Sequence, residues 1–347
     1  MRSCGRWQWF ALLAVTGLAF GSEPPQTNHR AVPPDGTPGA LPLGSVTVVG
    51  QTSCPVGAAN RAKCEEITVA CPGLPDLNAT LGVAKPTGAS IGTVVLHAGG
   101  PGTAFLNSGF PNDYLGDGFN VVQIAWASDW AAANGAGVRS AACRPATVFN
   151  FTFQTVHHSS RSKGFCGQGI SGGGAALGYS LADYGLAGDF DYVVIASGPG
   201  VSRMDYGCDA PLYQGPPRNL CSLLPDAPFT YSQGDANKVN MWEGTTTCGT
   251  ANPSSADIAR WAQDSVFSAG ADYVYPKTAM SWFFCVTTPV SETTGEGSFL
   301  IQQVVPKNSP PDVNCYSGTC KGEGVWQDPN AFDATLSEMV SQCVANH

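Results

Sequence analysis

Residues Gly169-Ile170-Ser171-Gly172-Gly173 fit the pattern G-x-S-x-G. A serine held this way can attack a carbonyl carbon. The glycines permit a strained strand-to-helix turn that lifts its hydroxyl clear of a sheet. The flanks agree with that geometry. Gly164–Gly169 reads as a short strand, and Leu177, Leu181 and Tyr184 recur on one helical face. Gly88-Ala89-Ser90-Ile91-Gly92 fits the same pattern, and with 42 glycines in 347 residues a chance match is expected. That copy lies in a Pro/Gly/Ser turn with no strand before it and no helix after it, so context favours Ser171. The plainer reading of 169–173 is a glycine-rich helix start that only packs, or that holds an anion on its N–H groups.

A nucleophile needs donors for the charge it creates. Gly92–His97 (GTVVLH) runs into Ala98-Gly99-Gly100-Pro101-Gly102, a buried strand ending in a glycine turn. Backbone N–H groups there can face a developing oxyanion. His97 more often closes such a strand by bonding the loop than by doing chemistry.

These pieces must be positioned by a sheet. Ser45–Gly50, Glu65–Ala70 and Ala79–Ala84 read as β-branched strands. Gly118–Trp126, Asp189–Ser197 and Ala279–Thr287 are near-continuous apolar runs, as in parallel strands covered on both faces. Pro145–His158 reads as a crossover helix that leaves His157 and His158 on the surface at the edge opposite Ser171. Phe299–Val305 reads as a helix, Asp312–Tyr316 as the last strand and Pro329–Cys343 as a closing helix with Pro at its first turn. Alternating strand and helix gives an α/β fold with a mostly parallel sheet and helices on both faces. It spans 45–347, interrupted at about 201–276 by a cysteine- and proline-containing insertion placed to cover the sheet's carboxyl edge.

Composition narrows the partners. A net charge of −9 and a sequence pI near 4.9, with no basic patch, argue against nucleic acid or an anionic membrane surface. Arg2 and Arg6 precede the short apolar run Phe10–Phe20, so 1–22 reads as a cleaved export signal and 23–44 as a Pro/Gly-rich leader. No later stretch suits a membrane span. Of thirteen cysteines Cys4 leaves with the signal, and the twelve that remain point to disulfides in an exported protein. Neighbours in sequence offer Cys54 with Cys64 or Cys71, Cys143–Cys166, Cys208–Cys221 and Cys315–Cys320. No C-x-x-C occurs and no histidine is spaced for zinc against the cysteines, so neither metal nor cofactor is expected. Asn78-Ala79-Thr80 and Asn150-Phe151-Thr152 are glycosylation acceptors in a eukaryotic host.

The LHAGGPG loop (Leu96–Gly102), the G-x-S-G-G elbow and the C-terminal strand–loop–helix together resemble secreted members of the α/β-hydrolase superfamily. The resemblance covers about 45–343 apart from the insertion. It implies a serine nucleophile at Ser171, an oxyanion hole from the N–H of Gly172 and of Gly99 or Gly100, and an acid and a histidine following in that order. The chain departs from that pattern at the histidine. The loop 318–328 (GTCKGEGVWQD) contains none, and Glu323 stands about where one is expected. The only histidine after Ser171 is His347, beyond a helix that should run to the far side of the sheet. Glu292 or Asp205 is the expected acid.

Two functions follow. One is a secreted serine esterase acting on an uncharged small-molecule or polymeric ester through an acyl-serine, with Glu323, His97 or a folded-back His347 as base. The other is an α/β-hydrolase-like protein that has stopped catalysing and keeps the pocket to bind a ligand. A peptidase is disfavoured because the insertion shows no acidic cluster for an amino terminus.

Overall fold

The computed structural model describes residues 29–30, 40–212, 220–221, 229–287 and 291–347. The expected export signal, 1–22, lies outside the described residues. In chain order the elements are β1 (His29–Arg30), β2 (Ser45–Thr52), β3 (Lys63–Ala70), β4 (Leu77–Ala84), β5 (Gly92–His97), α1 (Phe110–Gly116), β6 (Phe119–Trp126), α2 (Val138–Ala141), α3 (Cys143–Thr155), β7 (Gly164–Ile170) and α4 (Gly172–Ala182). They continue with β8 (Tyr192–Ala196), α5 (Met204–Cys208), α6 (Gln233–Glu243), α7 (Ser255–Asp264), β9 (Val274–Tyr275), β10 (Ala279–Cys285), α8 (Glu292–Ile301), β11 (Val305–Pro306), β12 (Asp312–Tyr316) and α9 (Pro329–Ala345).

Ten of these strands form one sheet in the order β1-β2-β3-β4-β6-β5-β7-β8-β10-β12. Pairings from β1 to β6 are antiparallel, and those from β6 to β12 are parallel. This is the α/β fold with a mostly parallel sheet expected from the alternation of strands and helices. Of the parallel strands, β5, β6, β8 and β10 are buried from end to end, as strands covered on both faces should be.

Successive residues of one strand serve opposite cores. Val94 and Leu96 of β5 pack with Phe110 and Tyr114 of α1 and with Met339 of α9. Val95, between them, joins Phe149 of α3 and Leu177 and Leu181 of α4 on the other face. Fully burying each such side chain contributes about 1.5–3 kcal/mol. The sheet is therefore a rigid platform, and the functional question concerns the rim where its parallel strands end.

Several expectations from local sequence need correcting. The helix expected at Phe299–Val305 starts earlier, at Glu292, where the Ser291 side chain caps it by accepting from the Thr293 N–H, and Val305 is already in β11. Gly297 is where α8 closes on the 198 turn: an added Cβ would meet Gly198 O at 2.3 Å. His157 is buried, not on the surface. Its ring stacks on Phe153, its Nδ1 pairs with the Thr93 hydroxyl at 3.1 Å and its Nε2 with Ser160 O at 2.8 Å. Asn150 is 2% exposed inside α3, so it is closed to glycosylation, whereas Asn78 is exposed.

Sequence neighbours also mispair the cysteines. Cys54–Cys64 is present, but the remaining bridges are Cys71–Cys143, Cys166–Cys343, Cys208–Cys248, Cys221–Cys315 and Cys285–Cys320. They join elements adjacent in the sheet or stacked on it, which chain distance does not reveal. Cys166–Cys343 fastens the strand before Ser171 to α9. Cys285–Cys320 fastens the end of β10 to the loop that carries Glu323. No helix among the described residues is long and apolar enough to cross a membrane.

Candidate active site

Ser171 stands between β7 and α4 with φ 52° and ψ −113°. A left-handed φ is uncommon for a residue with a Cβ and costs on the order of 1–3 kcal/mol, so its surroundings must hold it. They do so through the backbone. Ser171 N donates to Ala196 O at 2.9 Å, and Ser171 O accepts from Ala175 N at 2.9 Å as the first turn of α4. A Cβ at Gly173 would come within 2.2 Å of His97 O, so a larger residue would push α4 off the β5 loop. The second G-x-S-x-G serine, Ser90, precedes β5 at the opposite rim, where its hydroxyl accepts from Asn120.

The glycine turn after β5 lies against the start of α4. A Cβ on Gly172 would meet Gly100 O at 2.3 Å and Gly100 N at 3.0 Å. Gly100 has φ 57°. Gly99 is also close, its added Cβ falling 3.3 Å from the Ser171 Cβ. The N–H groups of Gly172, Gly173 and Gly174 open α4 without an intrahelical acceptor and bring the positive end of the helix dipole to this point.

His97 takes no part at the rim. It is fully buried, with Nδ1–H donating to Ala98 O at 2.8 Å and Nε2 accepting from Trp126 Nε1 at 3.0 Å. Both ring nitrogens are occupied, and burial pushes its pKa down to about 4. The imidazole is thus a neutral brace between two strands. His347 sits at the amino end of the sheet among Asp191, Lys277 and Lys307, away from Ser171.

Glu323 lines the same cavity as Ser171. Desolvation raises its pKa above the usual glutamate value and Asp235 adds to the rise, while the nearby Ser171 hydroxyl and Lys238 favour its ionised form. The loop presenting it is fixed on several sides. Ser197 Oγ donates to Glu323 O at 2.8 Å, and Asp328, which caps α9, accepts from Thr319 N at 3.0 Å. The Cys285–Cys320 bridge closes three residues before Glu323.

The two expected acids have different fates. Asp205 is buried on α5 and bound by Arg203 through Nε at 2.8 Å and Nη2 at 2.5 Å, and it does not line the cavity at Ser171. Glu292, the first residue of α8, does line it. Desolvation raises the Glu292 pKa, and Asp235 raises it further from within hydrogen-bonding reach.

The cavity has a volume of about 210 Å³. The sheet rim gives it Gly100, Pro101, Ser171, Gly172 and Ala175, while Trp130, Ala131 and Val138 form an apolar wall. The 201–276 segment adds Val201, Tyr231, Val239 and Trp242, together with the charged pair Asp235 and Lys238. Sequence reasoning missed these last two. The only local signal, Ser232-x-x-Asp235, marks a helix start, and Ser232 does cap α6. Nothing local says that α6 points at Ser171. Among the described residues no group of three or more His, Cys, Asp or Glu side chains is arranged to hold a metal ion.

No family profile matches the chain, and no curated protein does. Among solved structures, the chain is similar to a brefeldin A esterase described as a bacterial homologue of human hormone sensitive lipase (14% identity, TM-score 0.48, covering 85% of this chain and 80% of that one). It is also similar to a highly thermostable carboxyl esterase from Bacillus coagulans (13% identity, TM-score 0.47, 82% and 98%). A lipase in its open form is a third (14% identity, TM-score 0.46, 82% and 100%).

Proposed function

We propose that this protein is a secreted serine hydrolase that cleaves small uncharged esters, with Ser171 as nucleophile and Glu323 in the position where a histidine is expected. The reading is carried by one observation: a serine in a strained elbow, at the mouth of an apolar cavity whose lining also includes the Glu323 carboxylate. Ser171 Oγ attacks the ester carbonyl while its proton passes to the Glu323 carboxylate. The N–H groups of Gly172 and of Gly100 or Gly99 stabilise the oxyanion. Collapse expels the alcohol oxygen, which takes the proton back from Glu323 and leaves an acyl-serine. A water then gives its proton to Glu323 as it attacks, and the released serine recovers that proton.

A carboxylate is a weaker base than imidazole, and desolvation partly compensates by raising its proton affinity. The base must be ionised, so turnover rises with pH through an inflection above the ordinary 4.5 of glutamate. A cavity of about 210 Å³ lies below the ~300–1,000 Å³ of sites for drug-sized ligands, which favours short acyl groups. The 201–276 segment acts as the cap over it. Six disulfides among the described residues fit an oxidising, extracellular setting.

Fluorophosphonate labelling tests the assignment. Wild type is expected to label at Ser171, and Ser171→Ala to lose both labelling and p-nitrophenyl acetate hydrolysis. Well-folded wild type that fails to label would leave the pocket as a ligand-binding relic.

A further inference from the structure

The cavity mouth holds more acid than one general base needs. Glu323, Glu292, Asp235 and Asp129 all line it, and among the described residues Lys238 is the only lysine or arginine that does. Like charges this close favour protonation of one of them. A protonated Glu323 could not accept the Ser171 proton.

We propose that Lys238, brought over the mouth by α6, is a positioning residue whose ammonium keeps Glu323 ionised beside Ser171 in mildly acidic solution. The inference rests on the serine-hydrolase reading for its consequence, but not for its electrostatics. Lys238 Nζ donates to Asp235 Oδ1 at 2.8 Å, and Asp235 Oδ2 accepts from Ser232 Oγ at 2.6 Å. Asp235 is also within reach of Glu292. Asp235 is thereby held from its own helix and from α8, and it fixes where the ammonium sits. Lys238 interacts favourably with Asp235, Glu323 and Asp129. Glu323 shares the cavity with Ser171 of the elbow and with Asp235 and Lys238 of α6. Asp235 raises the proton affinity of Glu323 and Lys238 lowers it, while Glu292 of α8 is pushed up by Asp235 and by Glu323. The site is thus completed by the insertion, not by the sheet alone. The Lys238 side chain is 54% exposed, so salt should weaken its influence.

The test uses the full chain as wild type, Lys238→Met and Lys238→Arg. Glu323 is followed by carboxyl-carbon NMR titration, assigned by the signal lost in Glu323→Gln, and fluorophosphonate labelling is timed across the same pH range. Lys238→Met is expected to move the Glu323 titration to higher pH and to slow labelling roughly three- to tenfold on the acid side. Its rate should converge on wild type as pH rises, and Lys238→Arg should restore both readouts. An unmoved Glu323 titration in Lys238→Met, or a loss equal at every pH, overturns the proposal. If wild type does not label at all, the titration still decides this inference while the hydrolase reading fails separately.

Discussion

The 201–276 segment meets the sheet's carboxyl rim through two acid clusters that differ in one respect. At the cavity mouth, Glu323, Glu292 and Asp235 are partly open to solvent and, among the described residues, are answered by one lysine. Behind the cavity wall, Glu243 of α6 and Asp264 of α7 close on α2. Glu243 Oε1 accepts from Val138 N at 2.8 Å, Arg260 lies 3.2 Å from Glu243 and 3.5 Å from Asp264, and Arg139 pairs with Asp183 at 2.7 Å. The Glu243 side chain is 0% exposed, and burial together with Asp264 pushes its pKa up to about 8. Burial also lifts Asp183 to about 7. The same residue types therefore do different work. A partly exposed carboxylate in a cavity with a hydroxyl can exchange protons with a substrate, whereas a buried one that accepts from Val138 N and pairs with Arg260 fastens helices to the core.

The comparison can be broken most forcefully at the mouth. Ser171→Ala should reduce ester hydrolysis by about 10³-fold or more, as loss of a nucleophile does elsewhere. Glu323→Gln should cost roughly 10²–10⁴-fold in kcat/KM, the usual worth of a positioned base. Glu323→His should increase p-nitrophenyl acetate hydrolysis and move the rising limb of the pH profile toward the imidazole range. No gain would mean that the loop does not present residue 323 as a base.

The inner cluster should respond in stability. The Glu243 carboxyl binds its proton more tightly folded than unfolded, so its contribution is fully present below about 4.5 and is lost as pH rises through about 8. Wild type should therefore melt at progressively lower temperature across that window, and Glu243→Gln should flatten the fall. A parallel slope in the variant would show that another group controls it.

A smaller effect is expected at His97. Replacing it with Ala removes two buried hydrogen bonds and should destabilise the protein by about 1–3 kcal/mol, read from denaturant melts. The pH dependence of turnover should stay unchanged, because the imidazole is not the base.

How much was legible depended on how local each feature is. The elbow was readable because its rule is local: two glycines around a serine, strand before, helix after. The parallel strands were readable because burial on both faces leaves an unbroken apolar run. The start of α8 was not readable, since a glycine that lets a helix approach a turn, as Gly297 does, looks in sequence like a glycine that breaks one. His157 misled because Thr93, which its ring meets, is far away in the chain.

By itself the sequence determined the alternation that makes an α/β sheet, the serine at 171, the glycine turn opposite it and the absence of a histidine from 318–328. These follow from backbone freedom and side-chain periodicity, which act over a few residues. Only the tertiary structure decided which cysteines pair, that Arg203 occupies Asp205, that Glu323 lines one cavity with the serine, and that α6 adds Asp235 and Lys238 to it. Those outcomes depend on which distant segments the sheet order and the disulfides bring to one rim, and charges interact through space over a few ångströms whatever their separation along the chain.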